Sequence, residues 1–173
     1  MAERDNVILI GMPGVGKSTI GVLLAKYIGF SFLDTDIFIQ SHEGMRLNEI
    51  IERIGLADFC DLEEKYIQMI ACRSHVISPG GSVVYRAVAM DHLKRIGTVV
   101  HLDLDPSALS DRLGDLSLRG VVHAPGQTVA DLYQERRPLY ITYADITVDC
   151  TDLSFEQTAR KIETLYRAGP NLS

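Results

Sequence analysis

The chain has 173 residues, 46% of them hydrophobic and 23% charged, which suits one soluble domain with a sizeable core. A net charge of −6 argues against general binding to nucleic acid or to an anionic membrane, so the basic residues that matter must act locally. The three cysteines, Cys60, Cys72 and Cys150, show neither C-x-x-C pairing nor zinc-ligand spacing, so free thiols in a reducing cytoplasm are expected. The first apolar run is also too short for a signal peptide or a membrane span.

Residues 6–10, Asn-Val-Ile-Leu-Ile, read as a short buried strand. They lead into Gly11-Met12-Pro13-Gly14-Val15-Gly16-Lys17-Ser18-Thr19, a full match to the Walker A pattern Gly-x-x-x-x-Gly-Lys-Ser/Thr. A helix over 17–29 follows, with Ile20, Leu23, Leu24, Tyr27 and Ile28 at helical spacing and Gly29 as its C-cap. Strand, loop and helix together are the context the motif requires. Its glycines let backbone N–H groups turn inward onto phosphate oxygens, and the helix N-terminus adds partial positive charge. In such a loop, Lys17 reaches the β- and γ-phosphates and the Ser18 hydroxyl ligates Mg²⁺.

Residues 30–33 form a second strand that runs into Asp34-Thr35-Asp36. Carboxylates just past a strand end lie where open α/β sheets bind ligands. Beside a phosphate loop, two of them suit two tasks, one on hydrated Mg²⁺ and one on a substrate hydroxyl. An Asx-turn or helix N-cap is the competing reading of the same residues. Helices are expected at about 35–42, 46–54 and 57–73, with Phe59, Leu62, Tyr66, Ile67 and Ile70 on one face of the last. A third strand at 75–78 ends in Pro79-Gly80-Gly81-Ser82, where glycines let backbone approach a ligand or simply make a tight turn.

A helix over 87–95 and a strand over 97–102 come next. Pro106 opens a helix that runs through Leu109, Arg112 and Leu113. Residues 114–127 lack periodicity and include Arg119, as expected of a mobile active-site loop. Thr128 is the expected N-cap of a helix over 129–143, before a strand at 145–148 and an amphipathic helix at 155–167. Alternating strands and helices predict a three-layer α/β/α fold on a five-stranded parallel sheet. His75, His101 and His123 show no partner in the sequence.

From about residue 6 to 167, the chain resembles the shikimate kinase family. The anchors are residues 11–19, Leu33-Asp34-Thr35-Asp36, Phe59 with Glu63, Gly80-Gly81, Arg119, and Arg136-x-Pro138-Leu139-Tyr140. The Walker A loop is specific only to a superfamily, whereas Asp-Thr-Asp with the later Arg-x-Pro-Leu-Tyr is much narrower. The resemblance implies a P-loop kinase of nucleoside-monophosphate-kinase type: one domain over 1–173, with substrate-binding helices at about 35–73 and a lid at about 114–127. It implies ATP- and Mg²⁺-dependent phosphorylation of a small hydroxylated metabolite, shikimate, by a cytoplasmic monomer with no nucleic-acid or membrane partner.

It also implies roles for residues. Gly11, Gly14, Val15, Gly16, Lys17, Ser18 and Thr19 hold the nucleotide phosphates, and Arg112 lies against adenine. Ser18 and Asp34 attend the metal. Asp36 holds substrate hydroxyls and takes the proton of the attacking one. Phe59 walls the substrate pocket, Gly80 and Gly81 face the substrate, and Arg136 pairs with its carboxylate. Arg119 is the lid arginine that touches both phosphates and substrate.

The chain departs from the family pattern at several positions. Where the family has Gly-Glu-x-x-Phe-Arg-x-x-Glu, this chain has Gly55-Leu56-Ala57-Asp58-Phe59-Cys60-Asp61-Leu62-Glu63. Cys60 brings no cation and no guanidinium fork, a loss worth about 2–5 kcal/mol for a desolvated carboxylate. Arg53 and Arg137 are the candidates to replace it. The triple-glycine turn is Pro79-Gly80-Gly81-Ser82, the lid's Arg-Pro is Arg119-Gly120, and the adenine loop reads Thr151-Asp152-Leu153 without its basic residue. A kinase for another hydroxylated acceptor, or a nucleotide-binding module without turnover, are the alternatives.

Overall fold

The structure is a computed structural model and describes residues 5–113 and 121–169. Its centre is β1 (Asn6–Gly11), every residue of which is buried. β-Branched and apolar side chains on both faces suit a strand covered on both sides. Around it lie β2 (Ser31–Asp34), β3 (His75–Ser78), β4 (Gly97–Asp103) and β5 (Ile146–Asp149), all parallel, in the order β2-β3-β1-β4-β5. Ile8 sits between Ile77 and Val99, which fixes the central register.

Among the described residues, eight helices connect and cover the strands: α1 (Lys17–Ile28), α2 (Thr35–Glu43), α3 (Leu47–Ile54), α4 (Leu56–Gln68), α5 (Ala87–Ile96), α6 (Pro106–Leu113), α7 (Val129–Tyr143) and α8 (Phe155–Ala168). α1 packs on α8, while α5 and α7 lie against β4. The chain leaves β1 toward β2 and β3 on one side and returns to β4 on the other. That reversal opens a crevice at the C-terminal end of β1, where α/β sheets bind ligands. A second, smaller apolar cluster joins Ile39 of α2, Ile50 of α3 and Phe59 of α4, apart from the main core. These helices therefore carry their own packing beside the sheet.

Most element boundaries fall within one residue of the periodicity reading. Gly29 caps α1 in the left-handed region at φ 75°, and Thr128 caps α7 in a capping box with Asp131. The last substrate-side helix is shorter than its pattern. It was expected to reach residue 73 and ends at Gln68, because the N–H groups of Met69 and Ile70 turn to Tyr66 and Ile67 in tighter i→i−3 bonds. The connection to β3 is then held by Asn6. Its side-chain amide donates to the carbonyls of Cys72 and Ile96 and accepts from the N–H of His75, each at 2.9 Å. Ile70 is buried without being helical, so its spacing imitated a helix face. Of the aperiodic stretch 114–127, residues 121–127 are irregular; the rest, with Arg119, lies outside the described residues.

Candidate active site

The crevice is an open cavity of ≈ 400 Å³ that runs from the phosphate loop to the buried end of α4 and α7. At the loop end, Gly16 stands at φ 103° as the N-cap of α1, a conformation natural to glycine. It is also pressed by Phe155, whose ring would lie 2.6 Å from any Cβ placed there. The half-buried Lys17 donates from Nζ to the carbonyls of Gly11 (2.9 Å) and Met12 (3.1 Å), which holds the ammonium over the mouth of the loop. Burial lowers its pKa to about 8, against the opposing pull of Asp36.

Asp34 is a helix N-cap, one of the two readings that its sequence position allowed. Its Oδ1 caps α2, accepting from the N–H of Asp36 (3.0 Å) and Ile37 (3.2 Å). Its Oδ2 accepts from Ser18 Oγ at 2.6 Å. One carboxylate thus fixes a helix and presents an oxygen pair with a loop hydroxyl. Asp36, on the first turn of α2, reaches the cavity. Burial first, and then the Asp34 charge, push its pKa up to about 6.

The far end is built by convergence. Phe59 and Glu63 come from α4 one turn apart, Gly80 and Gly81 follow β3, and Arg136 comes from α7. Gly80 has an ordinary φ of −56°, so its smallness is required by space. A Cβ there would stand 2.5 Å from Glu63 Oε1 and 3.1 Å from Asp36 Oδ1. Gly81 keeps room for Arg136, whose Nη1 would lie 3.1 Å from a Cβ at that position. Arg136 is 1% exposed. It donates from Nε to Tyr85 Oη at 3.0 Å and from Nη2 to the Val122 carbonyl. Tyr140 is fully buried, as a packing residue should be, and its hydroxyl donates to the Gly81 carbonyl at 2.7 Å. His101 stacks on its ring with centroids 5.2 Å apart, a partner the sequence did not reveal.

Glu63 lines the cavity, and the sequence reading left it without a role. It is 1% exposed, takes a 2.8 Å hydrogen bond from Ser82 on Oε2, and leaves buried Oε1 without a partner among the described residues. Burial raises its pKa to about 7, with the Ser82 hydrogen bond pulling the other way. Its spacing of four from Phe59 put it on the same helix face and was the available signal.

The missing cation is not restored by either candidate. Arg53 is exposed beside Met45, and Arg137 is bound to Asp103 Oδ2 through Nε (3.0 Å) and Nη2 (2.9 Å). Cys60 is buried, and burial raises its thiol pKa. At the outer flank of the loop, Arg112 donates to the Val15 carbonyl and lies 5.2 Å from the centroid of Phe155. Phe155 lines the cavity, and nothing in its sequence pattern marked it.

The shikimate kinase family model matches residues 13–166. The chain belongs to the shikimate kinase family. Among curated relatives, the shikimate kinase of Thermodesulfovibrio yellowstonii is 37% identical over 164 residues, covering 93% of this chain and 94% of that one. The shikimate kinase of Thiobacillus denitrificans is 36% identical and covers 86% and 83%. Among solved structures, the shikimate kinase of Acinetobacter baumannii in complex with shikimate superposes with a TM-score of 0.88 at 28% identity, covering 99% of this chain and 97% of that one. The shikimate kinase of Aquifex aeolicus gives 0.83 at 29%, covering 96% and 98%. The shared architecture is therefore that of the whole family domain.

Proposed function

We propose that this protein transfers the γ-phosphoryl group of ATP to a hydroxyl of shikimate, giving ADP and shikimate 3-phosphate. The observation that carries this reading is the single cavity with Lys17 at its phosphate end and Asp36 and Arg136 at its acceptor end. Family membership and the relative solved with shikimate support it.

Phosphoryl transfer needs positioning and charge neutralisation more than covalent chemistry. The loop N–H groups and Lys17 hold the phosphates, with Arg119 of the lid as a further cation. Arg136 holds the acceptor's carboxylate, Gly80 and Gly81 admit its ring, and Phe59 walls it. Asp36 orients the attacking hydroxyl and takes its proton. A bond forms between that oxygen and the γ-phosphorus while the β–γ bridging P–O bond breaks, and the electron pair leaves on ADP. With a pKa of about 6, Asp36 is ionised at neutral pH and still basic enough to accept the proton.

The oxygen pair of Ser18 and Asp34 suits Mg²⁺, which keeps several waters and needs only one or two protein ligands beside phosphates. When bound, that ion neutralises charge on the phosphates. Helices α2 to α4 serve as the acceptor-binding part of a single domain, and residues 114–127 as its lid, which excludes water during transfer. Free cysteines and the acidic balance suit work as a cytoplasmic monomer. Among the described residues, no helix is long and apolar enough to cross a membrane.

Cys60 favours one second reading, a kinase of this family with another hydroxylated acceptor. A coupled ADP-release assay with Mg-ATP, with and without shikimate, on wild type and Cys60→Arg separates the two. Shikimate-dependent turnover by wild type is expected, with a lower KM in Cys60→Arg. Turnover in Cys60→Arg alone, or in neither, would move the natural acceptor away from shikimate.

A further inference from the structure

We propose that Tyr85, anchored by Glu135, is a positioning residue that holds the Arg136 guanidinium with Nη1 toward the acceptor. This rests on the reading above in that Arg136 takes the acceptor's carboxylate. Tyr85 closes the short 3₁₀ turn Gly81–Tyr85, whose first residue faces the cavity. Its hydroxyl accepts from Arg136 Nε at 3.0 Å and donates to Glu135 Oε1 at 2.5 Å. Its ring also lies against the guanidinium, with the centroid 5.0 Å from Cζ. The same side chain therefore fixes Arg136 by hydrogen bond and by cation–π contact.

A guanidinium offers a carboxylate two bidentate edges, one through Nε and Nη2 and one through Nη1 and Nη2. Tyr85 occupies Nε and removes the first edge. Nη2 spends an N–H on the Val122 carbonyl, and Nη1, beside Gly81, faces the cavity. Glu135 keeps Tyr85 in place, because the tyrosine can donate in only one direction and the carboxylate takes that proton. This hydrogen bond holds the Glu135 carboxyl below its ordinary range, so it stays anionic at neutral pH.

The chain continues outward. Glu135 Oε2 accepts from Gln127 Nε2 at 2.7 Å, and Gln127 Oε1 accepts from the Ala124 N–H at 3.0 Å. Residues 124–127 are thereby tied to the residue that orients Arg136. Among the described residues, the cations that line the cavity are Lys17 and Arg136. Lys17 is committed to the phosphate end, so among the described residues Arg136 is the cation left for the acceptor's carboxylate. Arg86, whose charge acts on the Cys60 thiol from outside the cavity lining, is held by Asp61 at 2.5 Å and by the Ala57 carbonyl. Without the family's second arginine, the orientation of Arg136 depends on what holds it.

Steady-state kinetics with Mg-ATP and shikimate on wild type, Tyr85→Phe and Glu135→Gln test this. Tyr85→Phe keeps the ring and frees Nε. The KM for shikimate should rise about 5- to 20-fold, while KM for ATP stays within about twofold and kcat within about threefold. Glu135→Gln, an exposed position that leaves folding untouched, should shift shikimate KM the same way by about 2- to 5-fold. Unchanged shikimate KM in both variants, or a parallel rise in ATP KM, would overturn the positioning role while the acceptor reading stands. Wild type with no shikimate turnover would remove the acceptor reading and the positioning role together.

Discussion

The two ends of the cavity are made in different ways. The phosphate end comes from one contiguous stretch, residues 11–19, and its working groups are mostly backbone N–H. The acceptor end takes side chains from α2, α4 and α7 and backbone from the turn after β3, residues as far apart as Asp36 and Arg136. The first is a local motif that tolerates change elsewhere. The second depends on the packing of separate elements, so a substitution in one of them acts on that end without touching residues 11–19. Small-molecule kinases of this architecture can thus vary the acceptor without rebuilding the nucleotide site.

Perturbations that touch one end should leave the other measurable. The largest effect is expected from Asp36→Asn, which removes the proton acceptor. Its kcat should fall by about 10²–10⁴-fold while ADP binding, followed by calorimetry, is retained. Loss of ADP binding would show that Asp36 belongs to the phosphate end instead. Arg136→Ala comes next: a buried guanidinium disappears, and shikimate KM should rise by about 10²-fold or more with ATP KM nearly constant. Equal rises in both constants would break the division into two ends.

The third test uses pH. Glu63 holds its proton to about pH 7 in the folded chain and releases it near 4.5 when unfolded. Its contribution to stability is therefore full below about pH 4.5 and is lost as pH rises through 7, by at most about 3 kcal/mol. Urea unfolding at pH 5 and pH 8 should show wild type losing stability relative to Glu63→Gln. Asp36 is present in both proteins, so the difference isolates Glu63, and parallel curves would mean Glu63 is already ionised. The smallest effect is Gly80→Ala, whose Cβ collides with Glu63 Oε1 and must be relieved by movement of that side chain. About 1–3 kcal/mol of strain should appear as a roughly tenfold rise in shikimate KM, with ADP affinity unchanged.

Legibility in the sequence followed the same division. The phosphate loop, its helix and the alternation of strands and helices were readable because each rests on neighbours in the chain. Asp34 was readable as either a cap or a ligand; one of its oxygens caps α2 and the other accepts from Ser18. The overrun of α4 to residue 73 failed for a tertiary reason: Ile70 is buried by packing, and the chain there is held by Asn6 from another strand. Glu63 was visible only as an anchor of the resemblance, since its burial and its Ser82 partner depend on how α4 meets the turn after β3.

By itself, the sequence determined the parallel α/β plan, the phosphate site and the acidic pair beside it. Periodicity, capping and glycine-rich loops are local properties and need no partner to be recognised. The tertiary structure alone decided which cations, among the described residues, line the far end of the cavity. It bound Arg137 to Asp103, left Arg53 exposed, and set Arg136 against Tyr85 inside the cavity. An arginine's role depends on what desolvates and pairs its charge, and those groups come from elsewhere in the chain.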